Sequence, residues 1–251
     1  MNSLVIATIS TVCAMGGLIL GIGLHLRLPG HHLNEESQEV VKLAAGLIGT
    51  MAALVLGLLI ASASTAFDAE AEHIEQLGAS LFLLDRNLDH YGPEANEIRT
   101  MLHGTLTRII EDLNRVGAAK ELDSSVYSKA GRAIFTKIRD LTPKTEAQKV
   151  IQAGAIEVID DVARTRWNLI QGRSDPIPIP FLVVLLIWIA VLFICFGLVS
   201  PLNATVVSVL FVSALTVAGA MLLIVELGDP FEGLLQVSVE PLSDALQLMG
   251  H

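Results

Sequence analysis

The sequence predicts an all-α integral membrane protein with four transmembrane helices. A helical soluble domain is inserted between spans two and three, and span two continues outward as a long helix. Three observations lead there. Of 251 residues, 52% are hydrophobic and only 17% charged, with mean hydropathy +0.61, too apolar for an ordinary soluble domain. Four runs, Leu4–Leu26, Leu43–Ser64, Phe181–Val199 and Ala204–Val225, hold no Asp, Glu, Lys or Arg. Each reaches the roughly 20 apolar residues that crossing ~30 Å of hydrocarbon requires. Between the second and third runs apolar residues recur at helical spacing, and no stretch alternates with period two long enough to form a strand.

Span one resembles a secretory leader only superficially. No basic residue precedes it, the apolar stretch is long, and no small-residue cleavage site follows Leu26, so a retained span is expected. Span two passes directly into a charged amphipathic stretch. Phe67, Ile74, Leu81 and Leu88 recur every seven residues, with Leu77 and Leu84 between them, an a/d seam extending the membrane helix outward. One helix from Lys42 to Tyr91 would run ~75 Å. In "YGPE", Gly92 suits the position after a helix end and Pro93 the first turn of the next.

That next helix, Pro93 to Val116, would bury Ile98, Met101, Leu102, Leu106, Ile109 and Leu113. A shorter one, Ser124 to Leu141, carries Val126, Ile134 and Ile138. "TEAQ" at Thr145–Gln148 fits a capping box opening a helix whose inner face holds Val150, Ile151, Val158, Ile159, Val162 and Leu169. "SDPIPIPF" then reads as a stiff extended connector, because each proline fixes its own φ and biases the preceding residue away from helix. "SPLN" admits only a tight hairpin between spans three and four. In the acidic end, Asp229 before Pro230 reads as a helix cap, and Ser238 or Glu240 before Pro241 starts a last short helix. The expected divisions are residues 1–66 for spans one and two, 67–175 for the soluble bundle, 176–226 for spans three and four, and 227–251 for an acidic tail.

Four blocks, "KLAAGLIGTMAALVLGLLIASASTAFD", "LLDRNLDHYGPEA", "FLVVLLIWIAVLFICFGLVSPLNATVV" and "ELGDPFEGLLQVSVEPLSDAL", together resemble the bestrophin-like domain family of bacterial membrane proteins. The likeness spans nearly the whole chain. It implies kinship with bestrophins, ring-shaped chloride channels whose second span lines a central pore that cytosolic helices extend. Bestrophins also carry an aromatic-rich neck on that span and an acidic calcium clasp after the fourth. Here span two has no aromatic residue before Phe67, and Gly228 stands where the family pattern usually has Asp. No ion-binding role is therefore carried over to Asp229 or Glu232.

On span two, Ala45, Gly49, Ala53, Gly57 and Ala61 form a small-residue stripe that permits close backbone approach. It serves either helix packing inside one subunit or contact between subunits around an axis. Gly46, Thr50, Leu54 and Leu58 lie on another side of the helix, and as pore-lining residues they would form a mostly hydrophobic constriction. Beyond the membrane, Asp68, Glu70, Glu72 and Glu75 precede any basic residue, and Glu226 and Asp229 are expected at the same surface. These acids are either a solvated face or, repeated around a ring, a vestibule that concentrates cations.

The function that follows is an oligomeric, bestrophin-like passive ion channel lined by span two, with cation preference. The alternative is a non-conducting oligomeric scaffold that docks a partner protein through its soluble domain. The expected partners are the lipid bilayer, inorganic ions and copies of the chain itself, a pentamer being one admissible homo-oligomer. The location is a bacterial inner membrane, with the soluble domain and both termini cytoplasmic. No enzyme is expected, since no HExxH, GxSxG, Walker or GxGxxG pattern occurs. No cofactor or metal is expected either. His25, His31 and His32 beside Glu35 and Glu36 read as polar caps, and His73, His90 and His103 as bundle-surface residues. Cys13 and Cys195 fall inside spans and read as small packing residues. A chain of net charge −10 and pI ≈ 5.1 is a poor nucleic-acid binder.

Overall fold

The computed structural model describes residues 3–29, 34–114, 125–171, 179–201, 203–228 and 235–249, and among them there is no strand. The helices in order are α1 (Ser3–Arg27), α2 (Glu35–Tyr91), α3 (Asn96–Asn114), α4 (Ser125–Arg139), α5 (Glu146–Gln171), α6 (Ile179–Val199), α7 (Ala204–Gly228) and α8 (Glu240–Met249), with a 3-10 turn at Pro93–Ala95. Two compact units result. One is Met1–Thr65 with Asp175–Gly228, the other Ala66–Ser174 with Asp229–His251.

Among the described residues four helices, α1, α2, α6 and α7, are long and apolar enough to cross a membrane, and the first unit draws on them. Glycine decides how closely two of them approach. A Cβ at Gly17 would lie 2.6 Å from the Ala190 carbonyl oxygen, and one at Gly21 would collide with the carbonyl of Ile194. On the facing helix, Gly197 packs against Leu18 in the same way. Lipid is as apolar as leucine, so membrane helices associate through this kind of close backbone packing. This close approach lies at the crossing of α1 and α6. Ala14, Leu18, Leu185, Ile189, Phe193 and Met221 are buried around it. Between α6 and α7, Asn203 caps the new helix, its side-chain oxygen accepting the Val206 N–H at 2.9 Å.

α2 starts earlier than its apolar run, because the Asn34 side chain accepts the Ser37 N–H at 2.9 Å and caps the helix ahead of Leu43. It then stays helical for 57 residues. No proline interrupts it. It stops at Gly92, whose φ of 115° and ψ of −172° lie where side-chain-bearing residues rarely go. Pro93 follows in the 3-10 turn, so α3 proper begins at Asn96 rather than at Pro93.

In the second unit the predicted seam is the core. Ile74, Leu77, Leu81, Leu84 and Leu88 are buried, with Phe67 packed against them. Leu102 and Leu106 of α3, Ile134 and Ile138 of α4, and Ile159 of α5 meet them. Val150, expected on the inner face of α5, is instead 72% exposed. The next residue, Ile151, is the one that packs against the core. The cap of α5 forms as predicted, Thr145 Oγ1 accepting the Gln148 N–H at 3.1 Å while Gln148 Oε1 accepts the N–H of Lys144 at 2.8 Å. Gln152 donates to the Ile138 and Leu141 carbonyls, both at 2.9 Å, and so closes the end of α4 onto α5. Ser238 Oγ accepts the Glu240 N–H at 3.1 Å and opens α8. α8 passes so close to α2 that a Cβ on Gly78 would stand 2.8 Å from the Pro241 carbonyl oxygen. The Asp229 cap, Val116, and most of the proline connector lie outside the described residues.

Candidate functional site

In its membrane portion α2 is the helix least covered by its own chain. Of its most apolar 18 residues 17% are buried, against 33% in α1, 28% in α6 and 22% in α7. The buried positions are Ala45, Ala52, Leu59 and Ala63, a face that small side chains dominate. The predicted pore residues Gly46, Thr50, Leu54 and Leu58 are all exposed, Leu54 at 60% and Leu58 at 62%. Thr50 Oγ1 donates to the Leu47 carbonyl at 2.8 Å, which satisfies its hydroxyl proton within the helix and leaves the oxygen as an acceptor. The small-residue stripe does not stay on one face. Ala45 is buried and a Cβ on Gly49 would stand 3.9 Å from Leu192, but Ala53, Gly57 and Ala61 are exposed. A cavity of about 550 Å³ separates α2 from α6, with Ala45, Gly46 and Gly49 on one wall and Cys195 and Phe196 on the other.

Of the predicted acids, Asp68, Glu72 and Glu75 are exposed. Glu70 and Glu226 are only 6% and 3% exposed within the chain. Asp229 lies outside the described residues, as do His31 and His32. His25 Nδ1 donates to the Leu198 carbonyl at 2.7 Å, joining the end of α1 to that of α6. Among the described residues no three His, Cys, Asp or Glu side chains are grouped to hold a metal.

Sequence reasoning missed a charge cluster in the second unit. Asp85 on α2 is 1% exposed, and the Arg99 guanidinium of α3 grips it bidentately, Nε to Oδ1 and Nη2 to Oδ2, both 2.9 Å. Arg99 Nη1 also donates to Asp89, and His103 Nε2 lies 3.1 Å from Asp85 Oδ1. The hydrogen bonds that Arg99 donates to Asp85 hold its proton affinity above the ordinary value. Two acids one turn apart face two bases one turn apart across the Gly92 turn, a fork geometry suited to carboxylates. That i, i+4 spacing on both sides of "YGP" was the readable signal. Alongside it, Lys144 Nζ donates to Glu94 Oε1 at 2.8 Å, which lowers the Glu94 carboxyl pKa and raises that of Lys144. Burial, assisted by the Glu94 charge, pushes the Tyr91 phenol up. These groups fasten helices together.

A family model described as Bestrophin-like domain matches residues 12–242. Among curated protein sequences none matches the chain. Similar solved structures include crystal structures of three point variants of a bacterial bestrophin homolog from Klebsiella pneumoniae. One gives TM-score 0.69 at 14% identity and covers 99% of this chain and 98% of that chain. A second gives 0.70 at 14% identity with both chains covered fully, 100% each. The third gives 0.71 at 14% identity and covers 100% of this chain and 99% of that chain. At that identity the likeness is one of fold.

Proposed function

The chain belongs to the bestrophin-like family, and from that premise we propose that it is a membrane ion channel assembled from several copies around α2, with a passive pore lined by Gly46, Thr50, Leu54 and Leu58. The observation that carries the proposal is the state of α2. Its membrane face is the least covered by its own chain, and the same helix continues without a break into a stretch bearing exposed Asp68, Glu72 and Glu75. Bare apolar residues at Leu54 and Leu58 make a constriction whose conduction depends on whether water fills it. A ring of copies repeats the three acids, and the resulting negative potential raises local cation concentration. Cations are therefore the preferred ions. The small residues Ala53, Gly57 and Ala61, uncovered within one chain, allow a neighbouring copy to approach closely. The protein sits in the bacterial inner membrane with its helical domain and both termini in the cytoplasm.

Planar-bilayer recording of the purified protein tests the reading. The expected result is a conductance whose reversal potential in a salt gradient has the sign of cation selectivity. Thr50→Cys and Leu54→Cys should make the currents sensitive to water-soluble thiol reagents. Silence at every voltage and pH would favour the non-conducting scaffold, and currents indifferent to the reagents would remove those two residues from the pore.

A further inference from the structure

The cavity between α2 and α6 is a groove that starts at one membrane surface and runs inward. Its register is set where a Cβ on Gly49 would stand 3.9 Å from Leu192. Going back along α2 from Gly49 to Lys42 covers ~11 Å, and going forward along α6 from Leu192 to Ser200 covers ~12 Å. Lys42 and Ser200, both lining the space, therefore reach the same level. Lys42 directly precedes the charge-free run of span two and Ser200 directly follows α6, so that level is the mouth. Deeper in, the walls are Ala45, Gly46 and Gly49 on α2 and Leu192, Cys195 and Phe196 on α6. The groove thus spans most of the ~15 Å that one leaflet contributes to the hydrocarbon.

Two glycines keep it open. A Cβ on Gly46 would meet nothing within 4 Å, and one on Gly49 would make only ordinary contact. Gly17 and Gly21, by contrast, make room for a neighbouring backbone. Here the missing side chains leave about 550 Å³ that the chain itself does not fill. Lys42 and Gly46 on the rim are exposed, so one side of the groove faces outward. Packed protein leaves few voids larger than a water molecule, and at this depth the surroundings are hydrocarbon. An acyl chain is what such surroundings supply.

The mouth selects the head. Lys42 is the charged residue at this end of α2 nearest the hydrocarbon, Glu39 lying a turn further out. Among the described residues no carboxylate pairs with Lys42. Lysine in such a place lays its methylenes along apolar surface and holds its ammonium among the headgroups. We infer that the groove binds one phospholipid of the leaflet at which α2 enters and α6 leaves, an acyl chain against Gly46 and Gly49 and its phosphate on the Lys42 ammonium. Gly46 borders both this groove and the proposed pore stripe, but Thr50, Leu54 and Leu58 lie off the groove. Lipid labelling is read without current, so the site stands or falls apart from conduction.

Full-length protein in dodecyl maltoside, a detergent without phosphate, is labelled with a phosphatidylglycerol that carries a photoactivatable diazirine on one acyl chain. Cross-links mapped by mass spectrometry should concentrate on residues 41–49 and 192–201, and an excess of unlabelled phosphatidylglycerol should displace them. Gly49→Phe, which fills the groove from α2, should cut that labelling at least tenfold, and Cys195→Phe should do the same from α6. Lys42→Gln should weaken labelling by this probe at least fivefold and leave labelling by the matching diacylglycerol, which has no phosphate, unchanged. Cross-links spread evenly over the apolar helices, or groove labelling that persists in both filled variants, would overturn the assignment. So would a groove left unlabelled, the result expected if a neighbouring copy is seated in it. An equal response of both probes to Lys42→Gln would overturn the phosphate contact.

Discussion

Asp85 has both carboxylate oxygens engaged while it is almost wholly enclosed, so its charge is tolerable only because Arg99 and His103 meet it. Removing one partner of a buried pair leaves an uncompensated charge, at a cost of about 3–5 kcal/mol. Arg99→Ala should therefore destabilise the domain by roughly 3 kcal/mol. Arg99→Met combined with Asp85→Leu should cost less, because no buried charge remains. Denaturant unfolding of the micellar protein, followed by tryptophan fluorescence, measures both, and equal losses would refute this account of the cluster. The exposed Glu94 and Lys144 pair gives a pH signature instead. Glu94 has a lowered folded pKa, so its contribution is present above the unfolded value of about 4.3 and is lost as pH falls through the folded one. Lys144 has a raised one, so its contribution is present below about 10.4 and is lost as pH rises through its folded value. The melting-temperature gap between wild type and Lys144→Met should narrow at both extremes and be widest between them.

At the scale of elements, α1 and α6 are held at a distance only glycine permits. Gly21→Ala drives a methyl into the Ile194 carbonyl and should cost about 2 kcal/mol, the usual size of overpacking. Gly23→Ala, where a Cβ meets nothing within 4 Å, should stay within about 0.5 kcal/mol. Equal effects of the two in a thermal-stability assay would mean that the crossing does not depend on Gly21. The same pair shows what the sequence could convey. Spans, the seam from Phe67 to Leu88, the Gly92 stop and the Thr145 cap were legible because each is a local rule of periodicity or capping. The glycine contact was not, since "GLILG" and the longer stripe beginning at Ala45 offer the same small-residue spacing. Only the facing helix, with Gly197 opposite Leu18, distinguishes them. Burial of Glu70 and Glu226 was equally invisible, because an acid at the end of an apolar run looks the same whether water or protein covers it. The Asp85 cluster was half legible. Its spacing stood in the sequence, but pairing it required knowing that Gly92 turns the chain back on itself.

At the scale of the whole molecule, the proposed pore depends on what covers α2. Leu54 and Leu58 are exposed in a single chain, and Thr50 presents only a methyl group and an acceptor beside them. If copies gather with these residues toward a shared axis, the ring is apolar at Leu54 and Leu58 and acidic at Asp68, Glu72 and Glu75. Its two properties then separate by mutation. Leu54→Ser wets the constriction and should raise open probability without moving the reversal potential, because no charge changes. Replacing Asp68, Glu72 and Glu75 together with Gln should leave opening intact and at least halve the reversal potential at low ionic strength. Raising the salt to molar concentration should shrink the wild-type potential in the same sense, since a Debye length of about 3 Å at 1 M confines the field of the acids. Single-channel recordings of the two variants in matched gradients check both effects. A reversal potential that follows Leu54 rather than the acids would transfer selectivity from the domain to the membrane span.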